Sequence, residues 1–175
     1  MKSIAEFENY EEALDAAMQT GSLSNEDKRL LKHEDFGVRL LVIKAALGDS
    51  ESQFVLGCFY DKGVKELNIP RSDDDFFKWL EKASEQGNRD AKTRLGCTYI
   101  NSGIIGYDHS SRKRGIDLLE EAAAMGDSQA KRLLSEYRSS RNSAVAKGCA
   151  SGCFGYTLAT ITLVVGGICG IISLI

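Results

Sequence analysis

Histidine and proline are nearly missing from this sequence, with two of the first and one of the second in 175 residues. The single proline, with apolar residues recurring at threes and fours, leaves little room for a sheet and predicts an all-α chain. The two histidines, His33 and His109, have no metal-ligand partner at helical spacing, and His33 beside Glu34 and Asp35 reads as a solvated helix end. No P-loop, dinucleotide fingerprint or nucleophile elbow occurs, so neither a cofactor nor an enzymatic activity is expected. The run Asp73–Asp75 follows Ser72 at a helix start, where acids favour the helix dipole rather than a cation. The formal net charge of −3 is too small to predict a nucleic-acid surface. The start has no uninterrupted apolar stretch, because Glu6, Glu8, Glu11 and Glu12 follow Lys2, so no secretory signal is expected. Ser3 with Glu6 and Ser24 with Asp27 are instead candidate capping boxes.

Charge itself is absent from one end. Every charged residue lies in Met1–Lys147 and the last 28 residues carry none. Residues 153–175 would rise about 1.5 Å each as a helix, roughly 34 Å, enough to cross a hydrocarbon core. With nothing following it, this segment is expected to be a tail anchor in the lipid bilayer. Lys131, Arg132, Arg138, Arg141 and Lys147 precede it against Glu136 alone, so the positive-inside rule keeps the rest of this single-pass chain on the cytoplasmic side. Gly148 and Gly152, and again Gly166 and Gly170, stand four apart and would let two membrane helices approach, giving a homo-oligomer. Cys149 and Cys153 at the boundary are candidates for S-acylation, or simply small residues in a glycine-containing entry.

What the chain does contain is a period. Gly48, Gly87 and Gly126 stand 39 residues apart and open the windows GDSESQFVLGCFY, GNRDAKTRLGCTY and GDSQAKRLLSEYR. Ser52, Ala91 and Ala130 share one phase; Leu56, Leu95 and Leu134 another; Gly57, Gly96 and Ser135 a third; Tyr60 and Tyr99 a fourth. Second helices recur too, with Trp79, Leu80 and Ala83 matching Leu118, Leu119 and Ala122, and with Ser72 and Ser111 as expected N-caps. A period of this size marks stacked helical hairpins. The hairpins are expected over Asp49–Asp61 with Ser72–Gln86, and Asn88–Ile100 with Ser111–Met125. A further helix, Asp127–Ser139, lacks a partner and should leave an apolar face uncovered. Cys58 and Cys97, in equivalent positions, are too far apart in such a stack for a bridge and read as small core residues. The Tyr60 and Tyr99 hydroxyls should reach water or a loop carbonyl. In the apolar run before Gly48, Leu40, Leu41, Ile43 and Leu47 would be buried.

The pattern A-x-x-x-L-G-x-x-Y followed by W-x-x-x-A-x-x-x-G resembles the Sel-one-like repeat, a relative of the tetratricopeptide repeat. It is carried by Ala91, Leu95, Gly96 and Tyr99 and by Trp79, Ala83 and Gly87, within Lys44–Arg138. Phe76, Gly115 and Ser84 depart from the family's alanines. The resemblance implies a short α-solenoid that binds a protein or peptide; its members include secreted bacterial effectors, signalling proteins and components of eukaryotic membrane-protein quality control. The expected organisation is a cap or worn repeat over residues 1–46, repeats over 47–140, a basic, glycine-containing linker over 141–152 and a transmembrane helix over 153–175. Partner contact is expected from Gln53, Lys92 and Lys131 at one repeat phase and from Phe54, Thr93 and Arg132 beside them. The function expected is thus that of a membrane-anchored interaction adaptor or effector. The alternative is a membrane-shaping protein that acts through oligomerisation of its glycine-rich tail.

Overall fold

The computed structural model describes residues 9–106 and 109–150. Among these the chain forms α1 (Tyr10–Gln19), α2 (Asn25–Leu30), α3 (Phe36–Ala46), α4 (Ser50–Lys62), α5 (Asp73–Glu85), α6 (Arg89–Gly106), α7 (His109–Ala124) and α8 (Ser128–Ala150). The only extended pairing among the described residues is an antiparallel bridge between Val64 and Ile69, closed around a 3-10 turn at Lys65–Leu67.

The periodic glycines are the turns between units. Gly48, Gly87 and Gly126 adopt φ of 97°, 84° and 95°, the left-handed region that ends a helix most cheaply at glycine. Their N–H groups bond Ala45 O, Ser84 O and Ala123 O, and the next N–H in each case reaches one residue further back, to Lys44 O, Ala83 O and Ala122 O. That double closure is a Schellman motif. The following residue then caps the next helix: Asp49 accepts from Ser52 N at 2.8 Å, Asn88 from Ala91 N at 2.9 Å and Asp127 from Ala130 N at 3.1 Å. One Gly-Asx pair therefore stops a second helix and starts the next first helix, which is why the glycine holds its phase so strictly.

Helices α4 and α5 form one hairpin and α6 and α7 another, with α3 packed on α4 and α8 on α7. Because α3 ends in the same Gly-Asx turn, it is the second helix of a preceding unit. Within each hairpin, glycine permits close approach. A Cβ on Gly57 would collide with the Leu80 side chain, and one on Gly96 would lie 2.8 Å from both Gly115 O and Leu119 Cγ. Leu56, Tyr60, Trp79, Leu80, Leu95 and Leu119 are buried around these crossings.

Several boundaries differ from the sequence expectation. Among the described residues α1 starts at Tyr10 with Asn9 as its N-cap, while the Ser3–Glu6 box lies outside them. The second box is present, Ser24 Oγ accepting from Asp27 N and Asp27 Oδ2 from Ser24 N. In α3 the buried set is Val38, Val42, Ile43, Ala45 and Ala46, with Leu47 as C-cap, whereas Leu40 and Leu41 are only half-buried. Ser72 caps α5, but α7 begins at His109 and so Ser111 is inside it rather than at its start. Helix α6 continues past Ile100 to Gly106, because Ile100 still packs at Gly115 and no proline follows to stop it. Helix α8 likewise runs through 141–150, read from sequence as a linker, and ends with Gly148 and Cys149 in its last turn. Among the described residues no helix is long and apolar enough to cross a membrane. The segment 153–175, with Gly166 and Gly170, lies outside them, as do Gly152 and Cys153.

Candidate interaction surface

The six residues expected to meet a partner are placed very differently. Gln53 is buried, with Nε2 donating to Ala45 O at 2.9 Å and Oε1 accepting from Gln86 Nε2 at 2.7 Å. Thr93 is buried too, its hydroxyl donating to the Asp127 carboxylate at 2.8 Å. These two correct the expectation: both side chains turn into the seams between helices, where a buried polar group must find a partner. Lys92 binds Glu121 on α7 at 2.5 Å, and its side chain is only 14% exposed. Phe54 is half-buried against the core. Lys131 and Arg132, on α8, are exposed, with Arg132 3.9 Å from Glu136. Of the six, only Lys131 and Arg132, both on α8, are exposed.

There, an open groove of about 630 Å³ runs between α7 and α8, lined by Glu120, Ala123, Lys131, Leu134, Ser135 and Arg138. Ala123 and Leu134 form its apolar floor, and Arg138 spans one side to Glu120 at 2.9 Å. The expected uncovered apolar face of α8 is reduced to this floor. Leu133 and Leu134 are buried, while Gln129, Lys131, Arg132, Ser135, Arg138 and Ser139 are among the exposed residues.

The tyrosine hydroxyls correct a further expectation: each is received by a carboxylate of the preceding unit. Tyr99 donates to Glu81 at 2.6 Å, and burial together with that carboxylate pushes its phenol up to about 12. At the next repeat Arg138 takes the tyrosine's place and Glu120 that of Glu81. Tyr60 donates to Asp27 at 2.8 Å. Asp27 is fully buried and also accepts from the Trp79 indole at 3.1 Å and from Lys78 at 2.5 Å. Lys78 lies 4.5 Å from the Trp79 ring centre and also binds Asp75. Burial alone would raise the Asp75 pKa, but hydrogen bonds from Lys78, Ser72 and Ser24 outweigh it and hold the carboxyl below its usual range. This lock joins α2 to the first hairpin; only the Ser24–Asp27 spacing hinted at it, and as a cap alone.

Two further reactive side chains, Cys58 and His33, are held by their surroundings. Burial pushes the Cys58 thiol up to about 11, so it is protonated and a poor nucleophile. His33 is not a solvated helix end. Its Nδ1 accepts from Asp35 N and Nε2 bonds Leu67 O at 2.8 Å, which assigns the proton to Nε2 and ties the α2–α3 connection to the 3-10 turn. Among the described residues no three His, Cys, Asp or Glu side chains stand together as metal ligands.

Two solved structures share this arrangement. A protective antigen of uropathogenic Escherichia coli strains, described as displaying an SLR fold, aligns with a TM-score of 0.52 and 22% identity over 71% of this chain and 25% of the antigen. A Sel1 repeat protein from Oxalobacter formigenes aligns with a TM-score of 0.51 and 24% identity over 72% of this chain and 96% of that one. The chain thus spans about a quarter of the antigen's length. No protein-family model matches the sequence, and no curated protein matches it. The likeness establishes the fold: an all-helical solenoid of the Sel-one-like repeat type.

Proposed function

We propose that the chain is a protein–protein interaction scaffold, tethered to a membrane through residues 153–175 and carrying its repeats on the cytoplasmic side. The observation that carries this reading is the groove at α8, whose apolar floor lies beside exposed cations. Phe54, Lys92, Lys131 and Arg132 remain the contact candidates, with Lys131 and Arg132 the accessible pair. The tail supports the tether by its length and lack of charge, with Lys131, Arg132, Arg138, Arg141 and Lys147 preceding it. A small-residue face formed by Gly148, Gly152, Gly166 and Gly170 would pair two copies, and Cys149 and Cys153 would take a lipid at the boundary.

A photo-crosslinking residue placed at position 54 or 132 of the full membrane-bound chain tests the scaffold. The expected result is one recurrent protein adduct that is lost on Lys131→Glu while the melting temperature holds. Adducts spread evenly over many proteins, and unaffected by Lys131→Glu, would refute it. For the topology, protease added outside sealed vesicles should remove an N-terminal epitope; full protection would overturn it.

A further inference from the structure

The α7–α8 groove is the repeat-equivalent of a seat that a helix fills elsewhere in this chain. One repeat earlier its lining maps onto Glu81, Ser84, Lys92, Leu95, Gly96 and Tyr99. Four of these six positions contact α7: Lys92 binds Glu121 at 2.5 Å, Glu81 binds Arg114 at 3.0 Å, the Arg114 guanidinium lies 4.8 Å from the Tyr99 ring centre, and Gly96 faces Gly115 and Leu119. One repeat earlier again, Gly57 takes Leu80 of α5. At the third position the seat is empty in the described structure. Its cation is also unmatched: Lys131, counterpart of Lys92, forms no ion pair among the described residues.

We propose that this seat binds an amphipathic helix of a partner protein, carrying an arginine, a leucine five positions on and a glutamate seven positions on, as Arg114, Leu119 and Glu121 do on α7. The leucine would lie on Leu134 and Ala123, the glutamate would pair with Lys131, and the arginine would share Glu120 with Arg138, as Arg114 shares Glu81 with Tyr99. Ser135 in place of glycine holds the incoming helix slightly farther off than α7 sits on α6. That suits an exchangeable partner more than a permanent hairpin mate. The inference rests on the scaffold reading and gives it a site and a ligand chemistry.

The probe is a fluorescent peptide of residues 109–125 of this chain, added to the purified full-length protein and followed by anisotropy. Saturable binding is expected, weakened at least ten-fold by Lys131→Glu in the protein and restored when the peptide carries Glu121→Lys. Ser135→Trp, which fills the groove, should abolish it, with melting curves showing the variants folded. No binding to the wild-type chain, or binding indifferent to Lys131→Glu, overturns the proposal. A chain that yields the expected adducts from positions 54 and 132 yet ignores this peptide would keep the scaffold reading and lose the seat.

Discussion

Replacing Gly115 by alanine sets two physical effects against each other, and the structure decides which wins. In an isolated helix the exchange is favourable by about 1 kcal/mol, because glycine loses the most backbone entropy on ordering. Here the added Cβ would lie 2.7 Å from Gly96 O and 2.9 Å from both Ile100 N and Ile100 Cγ1. Two of those three atoms are backbone, so no rotamer change relieves the contact and α7 must back away from α6. Overpacking of this kind costs typically about 1–3 kcal/mol, and separating the helices also loosens the Leu119 contact at Gly96. The net loss should be up to about 2 kcal/mol, which for a domain of this size lowers the melting temperature by up to roughly 8 °C. Ser135→Ala is the internal control. It occupies the repeat phase of Gly57 and Gly96 but lines an open groove, so apart from its exposed hydroxyl bond to Arg132 O only propensity acts, and the change should stabilise by up to about 0.5 kcal/mol. Thermal unfolding followed by far-ultraviolet circular dichroism reads both. If Gly115→Ala raised the melting temperature as Ser135→Ala does, helix propensity would be governing both sites and the close α6–α7 crossing would be refuted.

Three further outcomes follow from the buried polar groups. Asp27→Ala strands the Tyr60 hydroxyl and the Trp79 indole and leaves Lys78 half-paired, so it should cost about 3–5 kcal/mol, whereas Tyr60→Phe removes one donor of several and should cost about 1 kcal/mol; denaturant titrations read through the emission of the sole tryptophan separate the two, and equal costs would dissolve the lock. Asp75 and Asp127 are both held below the ordinary carboxylate range in the folded chain. Their stabilisation is therefore complete above the unfolded value of about 3.9 and is lost as pH falls through their lower folded values; melting temperatures should drop below about pH 4, less steeply in Asp127→Asn, and an unaltered slope in that variant would contradict the assignment. Cys58, with its thiol pushed up to about 11, should be alkylated at pH 8 about two orders of magnitude more slowly than an unperturbed thiol, and mass spectrometry showing rapid labelling in the folded chain would place it in a different environment.

How far the sequence disclosed this molecule depended on whether a residue's role was local or relational. The Gly-Asx turns, the Ser24 and Ser72 caps and the glycine–leucine crossings are local chemistry repeated at a fixed period, and the pattern displays them. Gln53 and Thr93 are polar residues beside a leucine row, so a helical projection puts them on the outside. They face inward because Ala45 and Asp127 belong to neighbouring units and Gln86 to the other helix of the hairpin, at angles no single helix specifies. The Asp27 lock was hidden for the same reason. Asp27 contacts Trp79 from 52 residues away, and its own neighbourhood explains it fully as a capping-box acid. The groove was half visible: Ser135 and Arg138 break the phase of Gly57, Gly96, Tyr60 and Tyr99, which is legible as a change in what packs there but not as an open cleft.

The two ends of the array are finished by opposite means. At the α2 end, a fully buried carboxylate collects a buried phenol, a buried indole and a partly exposed ammonium, joining α2 to the first hairpin. At the α8 end, the phases that pack second helices elsewhere carry serine and arginine, which are exposed at Ser135 and Arg138. A polar substitution alone would have made an inert cap. What keeps this end from being inert is that Leu134 and Ala123 still form the floor of a seat, Glu120 still stands where Glu81 receives two donors, and Lys131 still stands where Lys92 receives a glutamate. Among the described residues the α2 side of the array thus holds a buried polar network, and the α8 side a groove lined by the packing chemistry of its own repeat.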